Sequence, residues 1–223
     1  MRLESRAVAT GALLLAVVTG LAPGRASAQR GGRSLGIVVA QSVSSQTSAS
    51  PGGCCGGEED VLAPLMLSTL EVELTIPLRR RPSWGLDYPL RIVPLALALH
   101  NPTDSATQIG GDWFMSAGTP RERTVGVGVK PLALRAWVGN GPVRLEGDVS
   151  AGVLLFASPM LAANAARFNF VAEADLGVRL ALPDGRRMVV GYRRHHLSNG
   201  GLAEVNPGLN SHVVYVGLWL DSP

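Results

Sequence analysis

The chain is 223 residues long, 46% hydrophobic and 17% charged, with 27 glycines and a formal net charge of +3. That length suits one domain, and the absence of a basic stripe interleaved with aromatics excludes a nucleic-acid role. Beyond the N-terminus no stretch offers the ~18 uncharged apolar residues of a spanning helix, so any membrane span must be built of strands.

The first element is a secretory signal. Arg2 and Arg6 precede an apolar run from Gly11 to Ala22, and Ala26-Ser27-Ala28 forms a small-x-small cleavage site. Cleavage is expected after Ala28, giving 1–28 as signal peptide and 29–223 as a single domain. Losing Arg2, Arg6 and Arg25 together with Glu4 lowers the formal charge from +3 to +1, so the basic balance says little about partners. Gln29, not a cysteine, stands directly after the cleavage site, which argues against lipoprotein processing.

Eight strand-like runs follow, at 34–43, 66–77, 88–100, 124–138, 142–156, 167–182, 186–198 and 210–220. After the first comes a Ser/Gly-rich stretch, 44–60, read as a mobile loop. It contains the adjacent Cys54 and Cys55, which close almost no loop and lack metal ligands at usable spacing. In the second run Leu70, Val72, Leu74 and Ile76 alternate with Thr69, Glu71, Glu73 and Thr75. Arg79, Arg80 and Arg81 after it read as a solvated charge run, and the connection they form with Pro82 is longer than a periplasmic turn. His100, before Asn101-Pro102, reads as a loop residue.

In the fifth run, odd residues from Val143 to Leu155 are apolar or small, opposite Arg144, Glu146, Asp148 and Ser150. The sixth sets Phe168, Phe170, Leu176, Val178 and Leu180 against Asn169, Glu173, Asp175 and Arg179. Period-two alternation at this length predicts an all-β fold, an eight-stranded antiparallel outer-membrane β-barrel, apolar outward and ion-paired within. A soluble antiparallel barrel with its apolar face inward is the alternative. The loop pattern favours the membrane form: tight turns at Gly139-Asn140-Gly141 and Pro183-Asp184-Gly185 alternate with longer connections. Trp84, Trp113, Trp137 and Trp219 lie near strand ends, where an interfacial girdle or ordinary packing would equally place them.

Near the end, His196 and Ser198 share one strand face, in phase with Met188, Val190 and Tyr192, while Arg193 and His195 point inward. On the last run Asn210 and His212 share the outward phase of Val214. Asn199 follows the serine, and Asn206-Pro207-Gly208 turns the chain into its last strand. The H-x-S-N…N-P-G pattern at His196, Ser198, Asn199, Asn206, Pro207 and Gly208 resembles the signature of the lipid A 3-O-deacylase family, outer-membrane esterases also called acyloxyacyl hydrolases.

The resemblance implies a serine esterase that hydrolyses the 3-linked acyl ester of lipid A in the outer leaflet of the cell outer membrane, its partners being lipopolysaccharide and outer-membrane lipid. It implies Ser198 as nucleophile and His196 as base, with no metal and no organic cofactor. Asn199, Asn206 and Gly200 are the oxyanion candidates. The family's acid, a glutamate shortly after the turn, falls at Asn210 here. Glu204 in the hairpin loop is a substitute acid candidate, and His212 a second orienting group. Asn210 favours the alternative of a non-catalytic outer-membrane barrel serving envelope structure or adhesion. A periplasmic lipocalin-like binder is a third reading.

Overall fold

A computed structural model describes residues 32–48, 61–62, 66–100, 106–109, 112–115, 122–160, 164–203, 206 and 208–221. Eight long strands dominate: β1 (Ser34–Ser48), β2 (Met66–Arg80), β3 (Trp84–His100), β4 (Glu122–Val138), β5 (Val143–Phe156), β6 (Phe168–Ala181), β7 (Arg187–Ser198) and β8 (Gly208–Asp221). Each pairs antiparallel with its neighbour in the chain, and β1 also pairs with β8, which closes the sheet into a barrel. Val61–Leu62 adds a short pairing to the end of β1, and Ala106–Ile109 pairs with Asp112–Met115 between β3 and β4. The signal segment, Cys54, Cys55, Glu204 and Pro207 lie outside the described residues.

Strand ends shift by a residue or more throughout, and two of the differences change the reading. β1 continues to Ser48, because it keeps pairing with β8 past a register shift between Ser42 and Ser44, and Ser45 Oγ meets Ser211 Oγ at 2.8 Å in the interior. The link between β2 and β3 is only residues 81–83, a tight turn closed by Arg81 N–H donating to Trp84 O at 2.8 Å. The sequence reading expected a longer connection here, yet Arg79 pairs with Leu86 and Arg80 with Gly85, which carries the strands to the turn. Turns at 81–83, 139–142 and 182–186 therefore occupy one end, and the longer connections the other. Gly139, Gly141 and Gly185 supply the positive φ values these turns need.

Proline also explains where the ladder breaks. Pro89 and Pro94 fall inside the two register shifts of the β3–β4 pairing, and Pro131 inside the shift of β4–β5. A residue without N–H cannot donate to a ladder, so it is accommodated at a bulge. The Tyr88 hydroxyl donates to the Pro131 carbonyl at 2.5 Å, providing a partner for the bulged backbone.

The barrel is apolar outside and charged within. Leu132, Leu145, Leu176 and Ile92 are among the exposed large hydrophobic residues, whereas Glu71, Glu73, Arg91, Lys130, Arg135 and Arg193 are buried. That inversion suits a hydrocarbon surround. Glu73 accepts from Arg91 Nε at 3.0 Å, from both Nη atoms of Arg135 at 2.6 Å and from Trp219 Nε1 at 3.0 Å. Glu71 accepts from Lys130 at 2.8 Å and Arg193 at 2.6 Å, and Arg193 grips Asp175 through two bonds at 2.9 and 3.0 Å. Arg179 donates to Glu146 at 2.5 Å, and Arg91 also bonds Asp148. Arg144 lies over the Trp137 ring at 4.3 Å.

Of the strand-end tryptophans, Trp84 faces outward, whereas Trp137 and Trp219 are buried inside. Their odd positions on β4 and β8 share the inward phase, and glycines make their room. A Cβ on Gly36 would come within 2.4 Å of Trp219, and one on Gly85 within 2.5 Å of Trp137. The side chains of Trp113 and His100 lie outside the described residues.

Candidate active site

Where β7 meets β8, alternation decides which side chains reach the surface. Leu197 and Leu209 oppose each other and turn inward, joining an apolar cluster with Phe156 and Met160. That cluster caps the ionic core and fixes the hairpin. Their neighbours His196, Ser198 and Asn210 are therefore turned outward, each half-buried.

His196 and Asn210 are opposed in the ladder, and their side chains meet: Nδ1 of His196 lies 2.9 Å from Oδ1 of Asn210. A carbonyl oxygen only accepts, so the imidazole donates from Nδ1–H, and in the neutral ring Nε2 is then the acceptor. Ser198 stands on the same face two residues rimward. Among the described residues its hydroxyl makes no hydrogen bond, so the structure joins His196 to Asn210 but not to Ser198.

The loop after β7 is tied at both ends by asparagine. Asn199 N–H donates to Oδ1 of Asn206 at 2.8 Å, Gly201 N–H to Oδ1 of Asn199 at 2.9 Å, and Gly208 N–H to the Asn206 carbonyl at 2.8 Å. Gly200 and Gly201 have φ of +64° and +80°. At Gly200 space matters as well, since a Cβ there would lie 2.8 Å from the Phe170 ring. A small cleft beside this loop is lined by Ser198, Asn199, Asn206, Asn169, Leu197 and Met160. Three oxyanion candidates thus meet different fates. The Asn199 side-chain oxygen accepts from Gly201 N–H, the Gly200 amide makes no hydrogen bond among the described residues, and Asn206 has its oxygen fixed while its NH2 group bonds none of the described residues.

His212, read from sequence as a second orienting group, does not reach His196. Its Nδ1 lies 2.5 Å from Tyr192 Oη and its Nε2 2.5 Å from Arg194 Nη1. Register explains this, because His212 opposes Arg194 rather than His196. His195 points inward and meets Glu173 at 2.9 Å. Among the described residues no group of three His, Cys, Asp or Glu side chains could hold a metal ion. The sequence reading placed Tyr192 on the outward face but gave neither it nor Arg194 a role; the outward phase they share with His196 was the available signal.

The chain matches the lipid A 3-O-deacylase (PagL) family over residues 85–219. No curated protein sequence matches it. Among solved structures, the outer-membrane enzyme PagL is similar at 15% identity and a TM-score of 0.50, covering 81% of this chain and 97% of that one. Neisserial surface protein A is similar at 10% identity and a TM-score of 0.46, covering 86% and 99%. Ail, the attachment invasion locus protein of Yersinia pestis, is similar at 10% identity and 0.42, covering 86% and 100%.

Proposed function

This chain belongs to the lipid A 3-O-deacylase family, and from that premise we propose that it is an outer-membrane serine esterase releasing the 3-linked acyl chain of lipid A. The observation that carries the proposal is the His196–Asn210 hydrogen bond at 2.9 Å on the outer wall of the barrel, two residues from Ser198 on the same face. With both termini on the periplasmic side, β7 runs outward and brings this face to the outer leaflet, where lipopolysaccharide lies beside it.

Ser198 Oγ attacks the ester carbonyl while His196 Nε2 takes its proton, and the imidazolium then returns that proton to the leaving sugar hydroxyl. Water hydrolyses the acyl-enzyme in the second half-reaction, with the same histidine as base. The Asn206 NH2 group and the Gly200 amide are the donors for the tetrahedral oxyanion. Asn210 holds the ring and its tautomer. Secretion through the segment ending at Ala28 is part of the same proposal.

Asn210 also favours a second reading, a barrel of this family that has lost turnover, because a neutral amide does not offset the imidazolium charge. Mass spectrometry of lipid A from cells expressing the wild type or Ser198→Ala separates the two. Loss of one 3-linked acyl chain only with wild type supports the esterase; identical lipid A in both removes it.

A further inference from the structure

The run Arg79-Arg80-Arg81, expected from sequence to be a solvated charge run, is divided by the fold. Arg80 turns into the barrel end, where it bonds Asp87 at 3.0 Å and lies over the Trp137 ring at 5.8 Å. Arg79 opposes Leu86, just past the register shift that follows Pro77, and its guanidinium lies over the Trp84 ring at 5.4 Å. Trp84 faces outward, with Val138 opposite it on β4 and Leu78 beside Arg79 on β2, both exposed. Arg81 is exposed at the turn, two residues beyond Arg79. Among the described residues neither Arg79 nor Arg81 has a carboxylate partner, whereas Arg80 and Arg186 at the same end are paired with Asp87 and Asp184. An arginine laid on a lipid-facing tryptophan covers apolar surface with its stem and holds its charge at the headgroup level. Cations left unneutralised at that boundary attract anionic headgroups.

We propose that Arg79, Arg81 and Trp84 form a site for one anionic glycerophospholipid of the inner leaflet, its phosphodiester held by the two guanidinium groups. The inference takes from the proposed function only the orientation that puts the tight turns in the periplasm, and it involves neither Ser198 nor His196. Residues two apart in extended chain lie about 7 Å from each other, a gap that two long side chains can close around one phosphate. The planar guanidinium fork matches phosphate oxygens in geometry as well as charge. From Val138 toward the bilayer centre the wall continues through Leu134 and Leu132, both exposed, which gives an acyl chain of the same lipid an apolar bed. No described carboxylate bonds either arginine, so nothing there takes up an ammonium group. A net-negative headgroup therefore fits this patch better than a zwitterionic one.

The test uses the full chain folded in detergent and two probes with identical acyl chains, phosphatidylglycerol and phosphatidylethanolamine, counted by native mass spectrometry. Wild type should retain one phosphatidylglycerol over phosphatidylethanolamine by about twentyfold, since each arginine near an anionic surface contributes about fivefold. Arg79→Gln should lower that ratio about fivefold, and adding Arg81→Gln should bring it toward one. Trp84→Leu should weaken the preference and Trp84→Phe retain it. Arg186→Gln removes the same formal charge from the same end and should leave the ratio unchanged. Heat-modifiable gel migration reports that each variant is folded, and the exposed arginine variants carry the test if Trp84→Leu does not fold. No preference in wild type, or a ratio unchanged by the double substitution, overturns the site. An equal fall with Arg186→Gln also overturns it, in favour of diffuse surface charge. Orientation is checked separately: Ser83→Cys, with Cys54 and Cys55 replaced by serine, should react with a membrane-impermeant maleimide only after the outer membrane is permeabilised. Labelling in intact cells overturns the orientation and the inner-leaflet lipid with it. An inactive esterase with the lipid preference intact overturns the proposed function and leaves this site standing.

Discussion

His196 Nδ1 and Asn210 Oδ1 lie 2.9 Å apart because their two residues oppose each other in the β7–β8 ladder. Strand register therefore sets the contact, and the adjoining Leu197–Leu209 pair locks that register from inside the barrel. Slipping either strand by one residue would turn its own member of the pair into the interior and break the contact. The amide reproduces the geometry of a carboxylate at this position and omits its charge.

Neighbouring histidines with opposite phase should behave differently. His195 meets Glu173 inside the barrel, while His196 faces out. His195→Ala is expected to cost about 1–3 kcal/mol of stability, the range for losing a buried hydrogen bond to a charged group. Lipid A deacylation per folded molecule should persist. Urea unfolding in detergent, followed by gel mobility, measures the first effect and product analysis the second; a folded His195→Ala variant without turnover would reverse the assigned phase.

Arg91 should be the more costly cation to remove. It bonds Glu73 at 3.0 Å and also Asp148. Arg91→Met leaves those carboxylates buried with less compensation, a loss expected at about 3–5 kcal/mol. The unfolding midpoint in urea should fall accordingly. A midpoint within error of wild type would mean that the network is not held together by this residue.

The same residue shows how far the fold was legible in sequence. On β2, β5 and β6 the period-two alternation runs unbroken, and every carboxylate assigned inward from it (Glu71, Glu73, Glu146, Asp148, Glu173 and Asp175) is buried. Arg91, Lys130 and Arg135, which balance them, come from β3 and β4. There the register shifts at Pro89, Pro94 and Pro131 interrupt the count, so Lys130 and Arg135 face inward although five residues apart. Bulges hide phase from a sequence. The outward turn of His196, Ser198 and Asn210 was legible because β7 and β8 pair without such a break. The partners of His212 were not, since they depend on which residue lies opposite and not on phase alone.

Asn206 has two duties that a pair of substitutions can separate. Its oxygen accepts from Asn199 N–H at 2.8 Å, and its NH2 group, which bonds none of the described residues, is the proposed oxyanion donor. Asn206→Asp keeps the acceptor and removes the donor, so turnover should fall by about 10²–10³, the range for one oxyanion-hole donor. Asn206→Leu removes both and should also loosen the hairpin, seen as faster proteolysis between β7 and β8. Equal turnover in wild type and Asn206→Asp would exclude this side chain as the donor.

Restoring a carboxylate opposite His196 is the most direct test of the site. If Asn210 sets only the tautomer, the enzyme is slow, because nothing offsets the imidazolium formed as Ser198 attacks. Asn210→Glu should then raise turnover by at least about tenfold, within the ~10⁴ that separates asparagine from aspartate in a serine triad. Asn210→Leu should lower it below wild type, since the ring loses its Nδ1 bond to Asn210. If Glu204 supplies the charge instead, Asn210→Glu should change little and Glu204→Gln should be severe. Initial rates of the four proteins on purified lipid A decide between these. Inactivity of both wild type and Asn210→Glu would favour the non-catalytic barrel, because the remaining groups would then be in place with their missing charge supplied.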